Sequence, residues 1–289
     1  VDFTSTVDNT SSGKLLADGV GDLVLKSAAL NNVGVVQSKG TLAVTATGAI
    51  DNDGSILATA ADKALTVSGT SIDNSGTVQS VDALGVTVTG AVTNCGTLLA
   101  TDKALTLAGA SLGNSGTVQA GGALTGNITG AITNQSTGKI LTTTAGSALT
   151  LTAASLSNTG TAQSAGALSG TFTGAVDNSG TLLTLTTAKG GNDGALTVTG
   201  GTTFDNRSTG KTSSGGASTL SAGTIFTNEG ALASTGAMGV TTGSKFDNKT
   251  GASVVGGGNI SVASTASSFT LYNDGTVQSG GQLALGTST

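Results

Sequence analysis

Apolar and polar positions alternate along this chain in short runs, and the runs recur. One full unit is legible between Asn94 and Gly113. Thr97-Leu98-Leu99-Ala100 follows an Asn-x-Gly turn and reads as a short strand. Thr101-Asp102-Lys103 is a polar turn. From Ala104 to Ala108 the pattern alternates with period two, as side chains do on the two faces of a strand, and Gly109 ends it. Ala110-Ser111-Leu112 adds a third stretch before the next Asn. Three short strands and three turns per unit predict a solenoid coil. Helical repeats need longer runs of 3.6 period with far less Gly.

The unit is marked by a tetrad of the form Asn-x-Gly-Thr, as in Asn74-Ser75-Gly76-Thr77 and Asn114-Ser115-Gly116-Thr117. The marking residues are Asn9, Asn32, Asn52, Asn74, Asn94, Asn114, Asn134, Asn158, Asn178, Asn206, Asn228, Asn248 and Asn273. Their intervals run from 20 to 28 residues. Self-similarity at this period predicts an all-β fold, a parallel β-helix of about 13 coils. Strands of successive coils pair about 4.8 Å apart, so the stack is expected to form a rod of roughly 60 Å. Leu98, Leu105, Leu107 and Leu112 are expected inside, above Val78, Val86, Val88 and Val92 of the preceding coil. Thr106 is expected outside, with Thr66 and Thr87 as its equivalents.

A longer period lies over the first. Position two after the strand-opening residue reads Gln37, Leu57, Gln79, Leu99, Gln119, Leu141, Gln163, Leu183. Asp62-Lys63-Ala64-Leu65 returns as Asp102-Lys103-Ala104-Leu105. The duplicated unit is thus two coils. Past residue 184 the alternation fades, and only Gln278 restores it. The reading is one continuous β-helix over 1–289, with regular two-coil repeats over 30–185 and less regular coils with inserts over 186–289. The longest interval holds Lys189-Gly190-Gly191-Asn192-Asp193-Gly194, expected to be a protruding loop.

Composition narrows the chemistry. Charged residues make up 9% and aromatics 2%, with 47 Gly, no Pro, no His and no Trp. Imidazole catalysis and His metal ligation are absent. Arg207 is the only Arg, and with a net charge of -5 the chain offers no basic stripe for nucleic acid. The β-branched and aliphatic content, with few charges, argues against disorder. No apolar run is long enough to span a membrane as a helix. Cys95 is the single cysteine, so no internal disulfide forms. A narrow aliphatic core explains the scarcity of aromatics, and Cys95 is expected to be a buried or inert thiol.

No catalytic, cofactor-binding or metal-binding residue is assigned from the sequence. The Asn series reads as a structural turn ladder, for two reasons. Asn tolerates left-handed turn conformations and bonds its own backbone, and stacked amides can bond from coil to coil. Asp51 and Asp73 precede ladder residues in adjacent coils and could lie close enough to hold Ca²⁺ or act as an acid pair. Thr93, Gly113, Thr133 and Ser157 interrupt that series, and solvated turn residues are the simpler reading. Lys189, Asn192 and Asp193 form the first candidate contact loop. Outward pairs such as Thr87/Thr89, Thr150/Thr152 and Thr197/Thr199 resemble an ice-binding array, broken at Ser68, Ala108 and Asn127. Leu57, Leu99, Leu141 and Leu183 would form an outward apolar series, either a sticky stripe or covered by neighbours.

Asn-x-Gly-Thr-[Val/Leu]-x-[Ala/Ser], a polar turn, then Ala-Leu-Thr-[Val/Leu]-Thr resembles the haemagglutinin repeat of filamentous haemagglutinin-type exoproteins of two-partner secretion, most closely over 30–185. That family includes adhesins and the sticks of contact-dependent growth-inhibition effectors. The resemblance implies a right-handed β-helix at the surface of a Gram-negative cell, exported through an outer-membrane pore partner. It implies an extracellular, non-catalytic rod segment. The alternative is that the segment itself recognises a receptor or glycan on neighbouring bacteria or host cells. A polysaccharide-cleaving β-helix is a remote third reading. The family's Asn-Pro-Asn secretion motifs are missing, so the chain is expected to be an internal segment of a longer protein. No nucleic-acid partner and no membrane insertion are expected. Exposed strand edges at both ends of such a segment lead one to expect end-to-end self-association.

Overall fold

The computed structural model describes residues 1–19, 21–185 and 194–286. Among these residues the chain is all-β, with 39 strands of three to five residues. Every third strand belongs to the same sheet, giving three parallel sheets and a β-solenoid of about 13 coils. One coil serves as the pattern. Ala91–Asn94 lies in the first sheet, Thr97–Ala100 in the second and Leu105–Gly109 in the third. Period-two alternation turns one face of each strand inward, and all pairings are parallel because each strand meets only its copies in neighbouring coils. No helix among the described residues is long and apolar enough to cross a membrane.

The chain divides into two compact units. The first comprises Val1–Gly130 and Thr137–Thr143, the second Ala131–Ser136 and Thr144–Thr289. In the first unit, Leu42, Leu65, Leu84, Leu105 and Leu124 form an unbroken column in the third sheet, all buried. Ile50, Ile72, Val92 and Leu112 form another in the first sheet. Each fully buried side chain of this kind contributes about 1.5–3 kcal/mol. The two-coil period is also present inside the core. Gly69, Val88, Gly109 and Ile128 stack in one column, so Val88 sits between two glycines.

The second unit keeps the same plan but fills it differently. Phe204, Phe226 and Phe246 stack two residues before their ladder asparagines, fully buried. The first pair is stacked with ring centroids 4.5 Å apart, and the second is tilted at 5.7 Å. Phe172 is buried as well. A β-carbon added at Gly170 would lie 2.8 Å from its ring, so the missing side chain of Gly170 makes room for Phe172. The aromatics are few, but four of the six Phe are core. The expected aliphatic core therefore holds for the first unit and not for the second.

One expected register is wrong. Leu98 stands over Val78 and Leu112 over Val92, but Leu105 pairs with Leu84 and Leu107 with Val86. Val88 meets none of the expected leucines, and in the preceding coil it pairs with Gly69. Thr106 accordingly pairs with Gly85, while Thr87 pairs with Ala108 in a separate outward column. The turn before Leu105–Gly109 is one residue longer than that before Leu84–Val88, and the turn after it is one residue shorter. The overall spacing stays at 20 while the third strand shifts. A slip of two residues preserves which face is buried, so the alternation gives no warning of it.

Candidate functional site

The ladder asparagines end the strands of the first sheet and point inward. Asn32 through Asn248 are at most 1% exposed. In the first unit each Nδ2 donates to the Oδ1 of the next coil's asparagine: Asn9 to Asn32, Asn32 to Asn52, Asn52 to Asn74, Asn74 to Asn94 and Asn94 to Asn114, at 2.6–2.8 Å. The second unit repeats this from Asn134 through Asn158, Asn178, Asn206, Asn228 and Asn248 to Asn273, at 2.7–2.9 Å. The second amide hydrogen also serves the backbone. Asn74 Nδ2 lies 3.2 Å from the Thr97 carbonyl of the next coil and 3.3 Å from that of Gly76 in its own. Only an amide supplies one acceptor and two donors at this reach. Asp would accept only, and Gln is one methylene longer.

The left-handed explanation for these asparagines does not hold. Asp62 is the one described non-glycine residue with positive φ. The turn glycine answers to a close backbone contact. Gly96 has no positive φ, but a β-carbon there would lie 2.6 Å from the Ser75 carbonyl carbon and closer still to the Gly76 oxygen. Gly54, Gly76 and Gly116 are in the same situation. The corner backbones stack directly on one another, and Gly96 N donates to the Asn74 carbonyl at 2.9 Å.

The outward neighbours of the ladder carry the acidic residues. Asp51 and Asp73 are register partners and both exposed. Partial burial, then repulsion from Asp53 and Asp73, raises the Asp51 pKa above the ordinary carboxylate value. Asn31 donates to Asp8 at 2.6 Å, an amide interleaved among the acids. Among the described residues no group of three or more Cys, Asp or Glu side chains is placed to hold a metal ion.

In the second unit the equivalent acids are matched by cations. Arg207 donates to both Asp177 oxygens, at 2.7 Å from Nη2 and 3.1 Å from Nε, and lies 3.9 Å from Asp205. The Asp177 hydrogen bond raises the guanidinium above its already high pKa. Asp247 is 4% exposed and accepts from Lys245 and Lys249, both at 2.7 Å. Burial alone would raise its pKa, but the two lysines outweigh burial and hold it below the ordinary value. A carboxylate with a depressed folded pKa stabilises fully above its unfolded pKa and loses that contribution as pH falls through the folded one. Acid titration followed by hydrogen exchange is expected to loosen the Lys245–Asn248 strand below about pH 4, and Asp247→Asn is expected to remove that step. An unchanged acid profile in the variant would contradict it.

Cys95 is exposed at the corner of its coil, which corrects the buried reading. It occupies the free position of the Asn-x-Gly tetrad, where the side chain points away from the stack. Gln37, Leu57, Gln79, Leu99, Gln119 and Leu141 form one outward column, and the leucines are half-buried. Lys189, Asn192 and Asp193 lie outside the described residues. The Phe column was missed in the sequence, although Phe204-Asp205-Asn206, Phe226-Thr227-Asn228 and Phe246-Asp247-Asn248 display it two residues before each mark.

These features define a class, a repeat protein of parallel β-solenoid coils held by an internal amide ladder. Residues 2–69 and 57–109 match the family model of the haemagglutinin repeat, so this part of the chain is similar to filamentous haemagglutinin-like repeat proteins. The match ends at residue 109, whereas the ladder continues to Asn273. Neither the curated proteins nor the solved structures contain a match to this chain.

Proposed function

We propose that this chain is a structural segment of a secreted bacterial surface exoprotein used in adhesion or contact-dependent cell–cell interaction, with no catalysis of its own. The observation that carries this reading is the repeat itself: a haemagglutinin-repeat match on coils whose strands and corner amides bond chiefly to their copies in the neighbouring coils. Such an array gains stability through nearest-neighbour contacts and adds length by adding copies. A single thiol and the absence of disulfides suit a chain threaded unfolded through an outer-membrane pore partner. Asp51 and Asp73 stand side by side as register partners, but the outward positions flanking them, Asn31 and Thr93, offer no aromatic sugar platform. The core Phe rings are buried.

Two measurements test the reading. Antibody labelling of intact cells expressing the parent protein with an epitope tag in these coils is expected to show it outside. The purified 1–289 chain, fluorescently labelled, is expected to show no saturable binding to sibling bacteria or epithelial cells. Saturable binding to either would shift the reading to the recognition alternative.

A further inference from the structure

The register brings together an outward surface in the second unit that the sequence order conceals. In the third sheet, Thr152 pairs with Thr171, Thr171 with Thr199, Thr199 with Ser221 and Ser221 with Thr241. Two residues earlier on four of the same strands, Thr150, Ser169, Thr197 and Thr219 form a parallel column. Of the interruptions, Ala108 and Asn127 lack a hydroxyl and belong to the first unit, while Ser68 keeps one, as Ser169 and Ser221 do in the second. In the second unit the hydroxyl grid is unbroken over four coils, and it is half to fully exposed.

The grid is regular because the strands that carry it pair in parallel register over a packed core. Among the inward residues of the same strands, Leu151, Phe172, Val198 and Leu220 are at most 2% exposed. Coils repeat about every 4.8 Å, and alternate residues along a strand about every 6.6 Å. Ser221 Oγ donates to Thr199 Oγ1 at 3.1 Å, so these two hydroxyls of successive coils lie within one hydrogen bond of each other. The eight positions of the two columns on these four strands include no charged residue, whereas most protein surfaces mix charges densely.

An uncharged, in-register grid of hydroxyls and Thr methyls suits a ligand that is itself a rigid lattice of hydrogen-bonding oxygens. We propose that this face binds ice. Thr hydroxyls would hold water molecules at lattice positions, and the methyl groups between them would exclude disordered water. A protein partner would look for aromatic or Arg anchors, and the grid has none. A crystalline polysaccharide would look for aromatic platforms, and Phe172, Phe204, Phe226 and Phe246 are all buried beneath the surface.

The test uses the 1–289 chain in an ice recrystallisation assay, with Thr171→Lys and Thr199→Lys as separate variants. Thr106→Lys is the control, since Thr106 is exposed on the third sheet of the first unit. The unaltered chain and Thr106→Lys are expected to inhibit crystal growth equally. Each grid variant, with an unchanged β-sheet circular dichroism spectrum, is expected to need at least about tenfold more protein. An inactive unaltered chain would overturn the proposal. So would equal losses in Thr106→Lys and Thr171→Lys, or binding to insoluble cellulose or chitin without any effect on ice.

Discussion

Alanine at Gly96 is expected to destabilise the coils around it by about 3 kcal/mol or more, at the upper end of overpacking effects. The added β-carbon would collide with the backbone of the preceding corner, 2.6 Å from the Ser75 carbonyl carbon. No side chain can swing away to relieve this contact. Relief requires the corners to part, which breaks the bonds of Gly96 N to the Asn74 carbonyl and of Thr97 N to the Gly76 carbonyl, both 2.9 Å. Gly146 provides the comparison. Its φ is +83° and nothing lies near its missing side chain, so Gly146→Ala is expected to lose only about 1–2 kcal/mol, the cost of a left-handed conformation. Thermal unfolding with hydrogen exchange across 74–97 would separate the two. Equal losses at both sites would show that conformation rather than contact governs the corner.

The second large effect is expected at the ladder. Asn94→Ala removes the acceptor of Asn74 Nδ2 and the donor to Asn114 Oδ1. Stripping two buried polar atoms of a partner, at about 1–3 kcal/mol each, gives a loss of about 2–6 kcal/mol. The change at Asn94 is expected to be felt on both sides, so amide exchange should accelerate in the strands Ser71–Asn74 and Ser111–Asn114 together. Because long repeat arrays unfold in parts, site-resolved exchange measures this better than a single melting temperature. Protection lost only in the altered coil would mean that each amide is held by its own backbone rather than by the ladder.

Both predictions concern residues visible in the sequence, but the reason for Gly96 comes from the structure alone. The Asn-x-Gly mark was legible as a turn, and of the two expected causes for its Asn, amide bonding from coil to coil is found and left-handed φ is not. The causes found are contacts between coils, an amide chain and a backbone approach too close for a β-carbon. Period-two alternation cannot show contacts between residues 20 or more apart. Cys95 makes the same point. Its place in the tetrad was plain, and its exposure depends on which way the stacked corner faces.

The sequence alone determined the fold class, because the recurrence of Asn at near-constant spacing and the short alternating runs between them admit few structures other than stacked parallel coils. It also determined which side of most strands is buried, since side chains alternate strictly along an extended backbone. The tertiary structure decided the register. A two-residue slip leaves every side chain on the same face, so only the compensating turn lengths on either side of Leu105–Gly109 place Leu105 over Leu84. That register also assembles the hydroxyl grid from four strands spread over more than seventy residues. Their adjacency exists only once the coils are stacked.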